Sequence, residues 1–245
     1  MNLNVKNFVK YKKDGVIMLS NFFSNKEILA LRKKINVYIK KNSSKLKGKE
    51  INLINNKINS IHIFRDIFFK KFSNQKKILD LGFFFLKSKP KIKHYEYFAK
   101  PKKVGIASPM HQDNFYWNLK DPNAFTIWIA IDSAPKKNGS VEYLVGSHKK
   151  LYSHIESNVK GSSQKIKDLD KLKKRFKKKH FNLKPGDCLI HHSQIIHGSK
   201  KNMSGKSRRG FTIHVIPQKA QFDKINLKKY ETSLKQQIKL RKKVS

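Results

Sequence analysis

The chain has 245 residues, 38% of them hydrophobic, with 17 Phe and 8 Tyr, enough to fill one substantial core. Its formal charge of +40 raises nucleic acid or an anionic surface as partners, yet all but six of the 56 basic residues are Lys. They are scattered along the chain, where reading of bases and phosphates favours clustered Arg; AT-rich codon usage accounts for the excess without any function. The lone Cys188 excludes an intramolecular disulfide and a Cys-based zinc site. The N-terminal stretch lacks the apolar run of a secretion signal, and no segment reaches the ~18 apolar residues needed to span a bilayer. A soluble, cytoplasmic protein is therefore expected.

In chain order, Val16 to Phe23 reads as a short strand entering a turn. Ser24 then caps a helix, with Glu27 completing a capping box. Ile28, Leu31, Ile35 and Tyr38 recur at helical spacing and predict a buried face over residues 25–41. Residues 42–60, polar and rich in Asn and Lys, read as a mobile loop. A second helix is predicted over 74–87, with Ile78, Leu81, Phe84 and Phe85 on its apolar face. From residue 91 the texture changes to short strands: 91–99, 124–131, 141–145, 187–192 and 210–216. Residues 165–179 read as a Lys-rich helical insert, and 225–243 as a basic, solvated surface helix. No internal repeat is found. Helices followed by many short strands predict a mainly β fold, a jelly-roll-like barrel buttressed by helices on one side.

Three His-x-acid pairs occur: His94 and Glu96, His111 and Asp113, His154 and Glu156. About 0.7 such pairs are expected by chance in this composition, so spacing alone cannot choose among them. Residues i and i+2 of a strand share a face, roughly 6.6 Å apart, and both can lean onto one ion. A facial triad then needs a second His from a distant strand. His111 and Asp113 precede the aromatic cluster Phe115-Tyr116-Trp117, which places them at a strand start facing a cavity. His94 and Glu96 read as an ordinary polar sheet face, and His154 and Glu156 as a surface loop. His191, His192 and His197 compete for the distal position.

Six ordered blocks now carry a resemblance: His111-Gln112-Asp113, Trp128 to Asp132, Asn138-Gly139-Ser140, Gly146 to Lys149, Lys184 to Asp187, and His197-Gly198-Ser199. Together they resemble the phytanoyl-CoA dioxygenase family over residues 93–217, with a weaker echo at Asp14-Gly15. The resemblance implies a double-stranded β-helix (cupin-like jelly roll) within one domain. Residues 1–90 would support it, 91–217 form its core, and 218–245 add a basic helix. It implies Fe(II), 2-oxoglutarate and O2 as cofactors and co-substrates, with succinate and CO2 released on hydroxylation. The metal ligands would be His111, Asp113 and His197, and an acid at 113 points to hydroxylation rather than halogenation. Arg208 would clamp the far carboxylate of 2-oxoglutarate, because a planar guanidinium can donate two parallel hydrogen bonds. Its neighbour Arg209 would face the other way, although a one-residue slip exchanges the two. Gln112, Trp128 and Ser199 are implied co-substrate neighbours, with a plain core aromatic as the ordinary alternative for Trp128. His214 reads as a satisfied histidine and Cys188 as a small buried hydrophobe. Residues 42–72 and 150–180 would select a small-molecule or acyl-type substrate, and the Lys-rich insert suits an anionic one. A nucleic-acid-binding protein and a non-oxygenase cupin-like metalloprotein are the competing readings.

Overall fold

The computed structural model describes residues 3–159 and 162–243. Residues 160 and 161, inside the segment expected to select substrate, lie outside the described residues, as do the chain's first and last two.

The chain opens with α1 (Val5–Asp14), a helix the sequence reading passed over. Val5 and Val9 point to solvent and mask the apolar spacing of Phe8 and Tyr11, yet Asn4 and Asn7 form a reciprocal cap. Gly15 ends it at φ +77°, and a Cβ there would strike the His148 ring at 2.5 Å. β1 (Val16–Leu19) follows, then α2 (Asn25–Asn42), capped by Ser24 and Glu27 with Ile28, Leu31, Ile35 and Tyr38 buried as expected. The cap contributes about 1 kcal/mol, and each fully buried aliphatic side chain about 1.5–3 kcal/mol.

Residues 42–60 are not a loop. They contain a hairpin of β2 (Ile51–Ile54) and β3 (Lys57–Ile61), turned by Asn55 and Asn56 at φ +49° and +57°. Two successive left-handed residues make the turn type that matches strand twist, and Asn tolerates that conformation better than most side chains. The helical region after it is divided into α3 (Ile67–Ser73) and α4 (Lys76–Leu86).

The remaining elements are β4 (Pro90–Lys100), β5 (Ser108–His111), α5 (Asp113–Trp117), β6 (Phe125–Ala130), β7 (Val141–Leu144), β8 (His154–Glu156) and β9 (Gln164–Ile166). They continue with α6 (Leu169–Arg175), β10 (Lys178–His180), β11 (Cys188–His192), β12 (His197–Ser199), β13 (Arg208–Pro217) and α7 (Lys224–Lys243). The predicted 165–179 insert is thus one seven-residue helix between two short strands. β8 and β9 pair, so His154 and Glu156 belong to a strand rather than a loop.

Seven strands form one antiparallel sheet in the order β1-β11-β6-β13-β4-β3-β2, and four form a second in the order β10-β7-β12-β5. This is the jelly roll of a double-stranded β-helix, with helices on one side. Alternation gives the large sheet two different faces. Ile127, Ile129, Phe211, Ile213, Cys188 and Ile190 turn outward and pack under α2, α3 and α4 in the main apolar core. The opposite face looks at the small sheet, and Val16, Trp128, Ala130 and Leu189 meet Val141 and Tyr143 between the two. That inner space holds the polar residues described next.

Candidate metal centre

β5 and β12 pair antiparallel with His111 opposite His197, which brings two imidazoles from distant parts of the sequence to 4.4 Å between ring centroids. His111 closes its strand rather than starting it, and Asp113 opens α5. Gln112 between them is extended, at φ −123° and ψ 130°, so the side chains of 111 and 113 still share a direction. The ligand atoms of His111, Asp113 and His197 all lie within 4.8 Å of one another. Nε2 of each imidazole is 3.6 Å from Asp113 Oδ1.

The hydrogen bonds around this trio leave one ligand atom of each residue facing the other two. His111 Nδ1 donates to Pro109 O at 2.8 Å and His197 Nδ1 donates to Ile195 O at 3.0 Å. A carbonyl only accepts, so each Nδ1 carries the proton and each Nε2 is free as a ligand. Asp113 Oδ2 accepts from Thr126 Oγ1 at 2.7 Å and from His191 Nε2 at 3.2 Å. His191 Nδ1 in turn accepts from the Tyr143 hydroxyl at 3.0 Å. Oδ1 is therefore the oxygen left facing the imidazoles. Burial would push the Asp113 carboxyl up, but the surrounding His197, His111 and His191 hold it well below the usual range. Burial lowers His197 to about 3, so it stays a neutral imidazole. Burial also raises the Tyr143 phenol, which keeps its proton.

His191 and His192 part as strand alternation requires. His191 faces inward and buttresses Asp113; His192 faces outward against Tyr11 and His148. Thr126 and Tyr143 were not anticipated as parts of the site, and His191, a rival for the distal ligand position, supports the carboxylate instead. Thr126 had a readable signal: it is the single hydroxyl in an apolar run, two residues before Trp128 and so on the same face.

The adjacent arginines also part. Arg208 is 3% exposed and donates from Nη2 to Gly139 O at 2.8 Å, while its Nε has no partner. No ion pair to a carboxylate satisfies it among the described residues. Its guanidinium lies over Trp128, 5.1 Å from the ring centroid, and burial lowers its pKa to about 10, which leaves it charged. Arg209 turns outward and makes a two-pronged pair with Asp132 at 2.7 and 2.9 Å. Tyr143 lies within the fields of both Asp113 and Arg208. Ser199 is two residues past His197 in β12 and partly exposed.

Gln112 is a correction. Its side chain points away from the trio, donating to Lys150 O and Gln194 O and accepting from Tyr152 N at 2.7 Å. With that carboxamide fully engaged by backbone, Gln112 staples the 150–152 loop rather than facing a co-substrate. His154 is a second correction, since its ring stacks on Phe115 at 4.0 Å and its Nε2 accepts from Gln112 N at 3.2 Å. α7 is not merely a solvated helix: Tyr230 packs on Phe115 and Tyr116, at 5.9 and 5.5 Å between centroids.

Two imidazoles and one carboxylate suit a first-row divalent metal with open positions, and a buried guanidinium without a carboxylate partner suits a carboxylate ligand. The phytanoyl-CoA dioxygenase family model matches residues 11–210. A phytanoyl-CoA dioxygenase domain-containing protein 1 homolog of Caenorhabditis elegans is 29% identical over 171 residues, covering 67% of this chain and 59% of that protein. The chain thus spans about three-fifths of that relative's length. In fold it is similar to EctD of S. alaskensis, solved with 2-oxoglutarate and 5-hydroxyectoine, at a TM-score of 0.77 and 18% identity over 90% of this chain and 78% of that one. It is also similar to SnoK, a non-heme alpha-ketoglutarate-dependent carbocyclase, at a TM-score of 0.74 and 16% identity over 90% and 87%. On the extent of the family match and the six ordered blocks within it, the chain belongs to the phytanoyl-CoA dioxygenase family.

Proposed function

We propose that the chain is an Fe(II)- and 2-oxoglutarate-dependent dioxygenase that hydroxylates a small molecule and releases succinate and CO2. The observation that carries this reading is the pairing of two features on the inner faces of the sheets. One is a His111, Asp113, His197 set whose ligand atoms lie within 4.8 Å of one another; the other is a buried Arg208, over Trp128, with no carboxylate ion pair among the described residues. When bound, the iron and 2-oxoglutarate together activate O2 and supply the oxidising power.

The chain's own residues then have separable tasks. Thr126 and His191 fix Asp113 so that one oxygen faces the metal position. Arg208 holds the far carboxylate of 2-oxoglutarate by a planar fork, braced by Trp128 and Gly139 O. Ser199, on the strand of His197, borders the same carboxylate. The apolar walls between the sheets exclude water from the reacting atoms. We read residues 1–245 as one such unit acting in the cytoplasm. No described helix is long and apolar enough to cross a membrane.

The test is anaerobic addition of Fe(II) to metal-free protein, then of 2-oxoglutarate. A visible charge-transfer band is expected, and Asp113→Ala should abolish both it and substrate-coupled succinate formation. A folded wild-type protein that shows no band would exclude this function.

A further inference from the structure

A second polar cluster lies on the same inner face as the metal centre. On β13 the residues Arg208, Gly210, Thr212 and His214 share that face. Opposite them in register stand Lys100, Phe98, Glu96 and His94 of β4 on one side, and Ala130, Trp128 and Thr126 of β6 on the other. Thr126, which holds Asp113, is therefore directly across from His214. The His214 ring packs on Trp117, the last residue of α5, at 4.9 Å between centroids, and the field of Asp113 reaches His214 and Lys93.

Glu96 is the centre of this cluster. His62 Nδ1 donates to its Oε1 at 2.5 Å, and His62 Nε2 accepts from Asn52 Nδ2 at 3.0 Å, with Ser60 Oγ also 2.9 Å away. His214 Nε2 lies 3.4 Å from Oε2 and His94 Nε2 3.9 Å from Oε1. Burial lowers His214 to about 4 and lowers His94 as well, leaving neutral rings around an ionised acid. Side-chain exposure is 39% at His94, 24% at His62, 14% at Glu96 and 10% at His214. The trough therefore opens at His94 and closes towards the metal centre.

The choice of partners around Glu96 is unusual for this chain. Among the described residues that form ion pairs, every acid except Asp113 and Glu96 has a Lys or Arg partner. In a protein of charge +40, Lys93 lies within the electrostatic reach of both, yet neither acid has a lysine ion-pair partner among the described residues. Asp113 is kept for a metal. Lys93, at the β4 bulge beside the trough, is exposed and makes no ion pair with Glu96.

We propose that this trough is the substrate site and that Glu96 receives a protonated amine, so the substrate is a small cationic or zwitterionic amine rather than the anion suggested by the Lys-rich insert. The assignment of substrate to this trough rests on the oxygenase reading; the binding of an amine there does not.

The test is calorimetric titration of metal-free protein with 1,5-diaminopentane, L-lysine and, as the anionic arm, hexanoyl-CoA. Saturable binding of an amine is expected, weakened about 10- to 100-fold in Glu96→Gln, as for loss of one charge-assisted hydrogen bond, and retained in Glu96→Asp. His94→Arg at the exposed rim offers a second variant that leaves Glu96 in place and sets a cation beside it; it should lose amine binding too. Equal amine affinity in wild type and Glu96→Gln, or no amine binding at all, overturns the proposal. So does hexanoyl-CoA binding that disappears in Lys93→Met. The charge-transfer band should persist in Glu96→Gln; a missing band in wild type refutes the oxygenase reading while the amine titration still decides the trough.

Discussion

Two groups, Thr126 Oγ1 and His191 Nε2, decide which way the Asp113 carboxylate faces, because they occupy Oδ2 and leave Oδ1 towards the proposed metal position. Thr126→Val keeps the shape and removes the hydrogen bond. Metal affinity should fall about 10- to 100-fold, the usual cost of losing a group that orients a ligand. Competition with a calibrated chelator measures it, and unchanged affinity would mean that His191 alone suffices. The arginine doublet offers a paired experiment. Arg208→Met should weaken 2-oxoglutarate binding about 100-fold, read by titration of the charge-transfer band, because the carboxylate loses a buried cation. Arg209→Met should leave that titration unchanged and lower stability by about 1 kcal/mol through the lost Asp132 pair. Equal effects on co-substrate would contradict the opposite burial of these neighbours.

At the scale of an element, β13 shows how a strand is shaped to carry a site. Gly210 lies between the Arg208 and Thr212 positions on the inner face, and a Cβ there would come within 2.3 Å of the Trp128 indole. Gly210→Ala must push aside the ring on which Arg208 rests. We expect co-substrate affinity to drop at least tenfold with the metal affinity little changed; co-substrate binding at the wild-type level would show that the indole can move freely. The strands were the legible part of the sequence, since the alternation in 91–99, the β-branched and aromatic run 124–131 and the candidate at 210–216 return as β4, β6 and β13. The β2–β3 hairpin was missed because polar Asn and Lys dominate it, although the Asn55-Asn56 pair between Ile54 and Ile58 is a turn signal. α1 was missed for the opposite reason: its exposed valines blur a face that only Phe8 and Tyr11 define.

For the whole molecule, burial of histidine sets the response to acid. His148, His154 and His214 are lowered to about 4, and His192 and His197 to about 3, with burial the leading cause in each. An unfolded histidine titrates near 6.5. The native state stays neutral where the unfolded chain already binds protons, so the stability these groups contribute is full above about pH 6.5 and is lost as pH falls towards 4. Each contributes a slope of up to about 1.4 kcal/mol per pH unit, and the rising positive charge adds repulsion of the same sign. Guanidinium melts of metal-free protein at pH 7, 6 and 5 should show the midpoint falling steeply. A flat midpoint across that interval would mean that these rings take up protons without unfolding.

Local chemistry written along the chain was enough to determine the capped helix at Ser24, the positions of the main strands and the ordered family blocks, and the resemblance those blocks carry, not spacing, pointed to His111, Asp113 and His197 as the proposed ligands. Which histidine of the 191–192 pair faces the cavity, which arginine is buried, and where the Gln112 amide goes were settled by strand register and by loops distant in sequence. The Glu96 cluster was beyond reach for the same reason. His62, His94, Glu96 and His214 come from three strands or their flanks, and nothing in their spacing reveals that pairing of β4 with β13, and of β13 with β6, sets them beside a metal position.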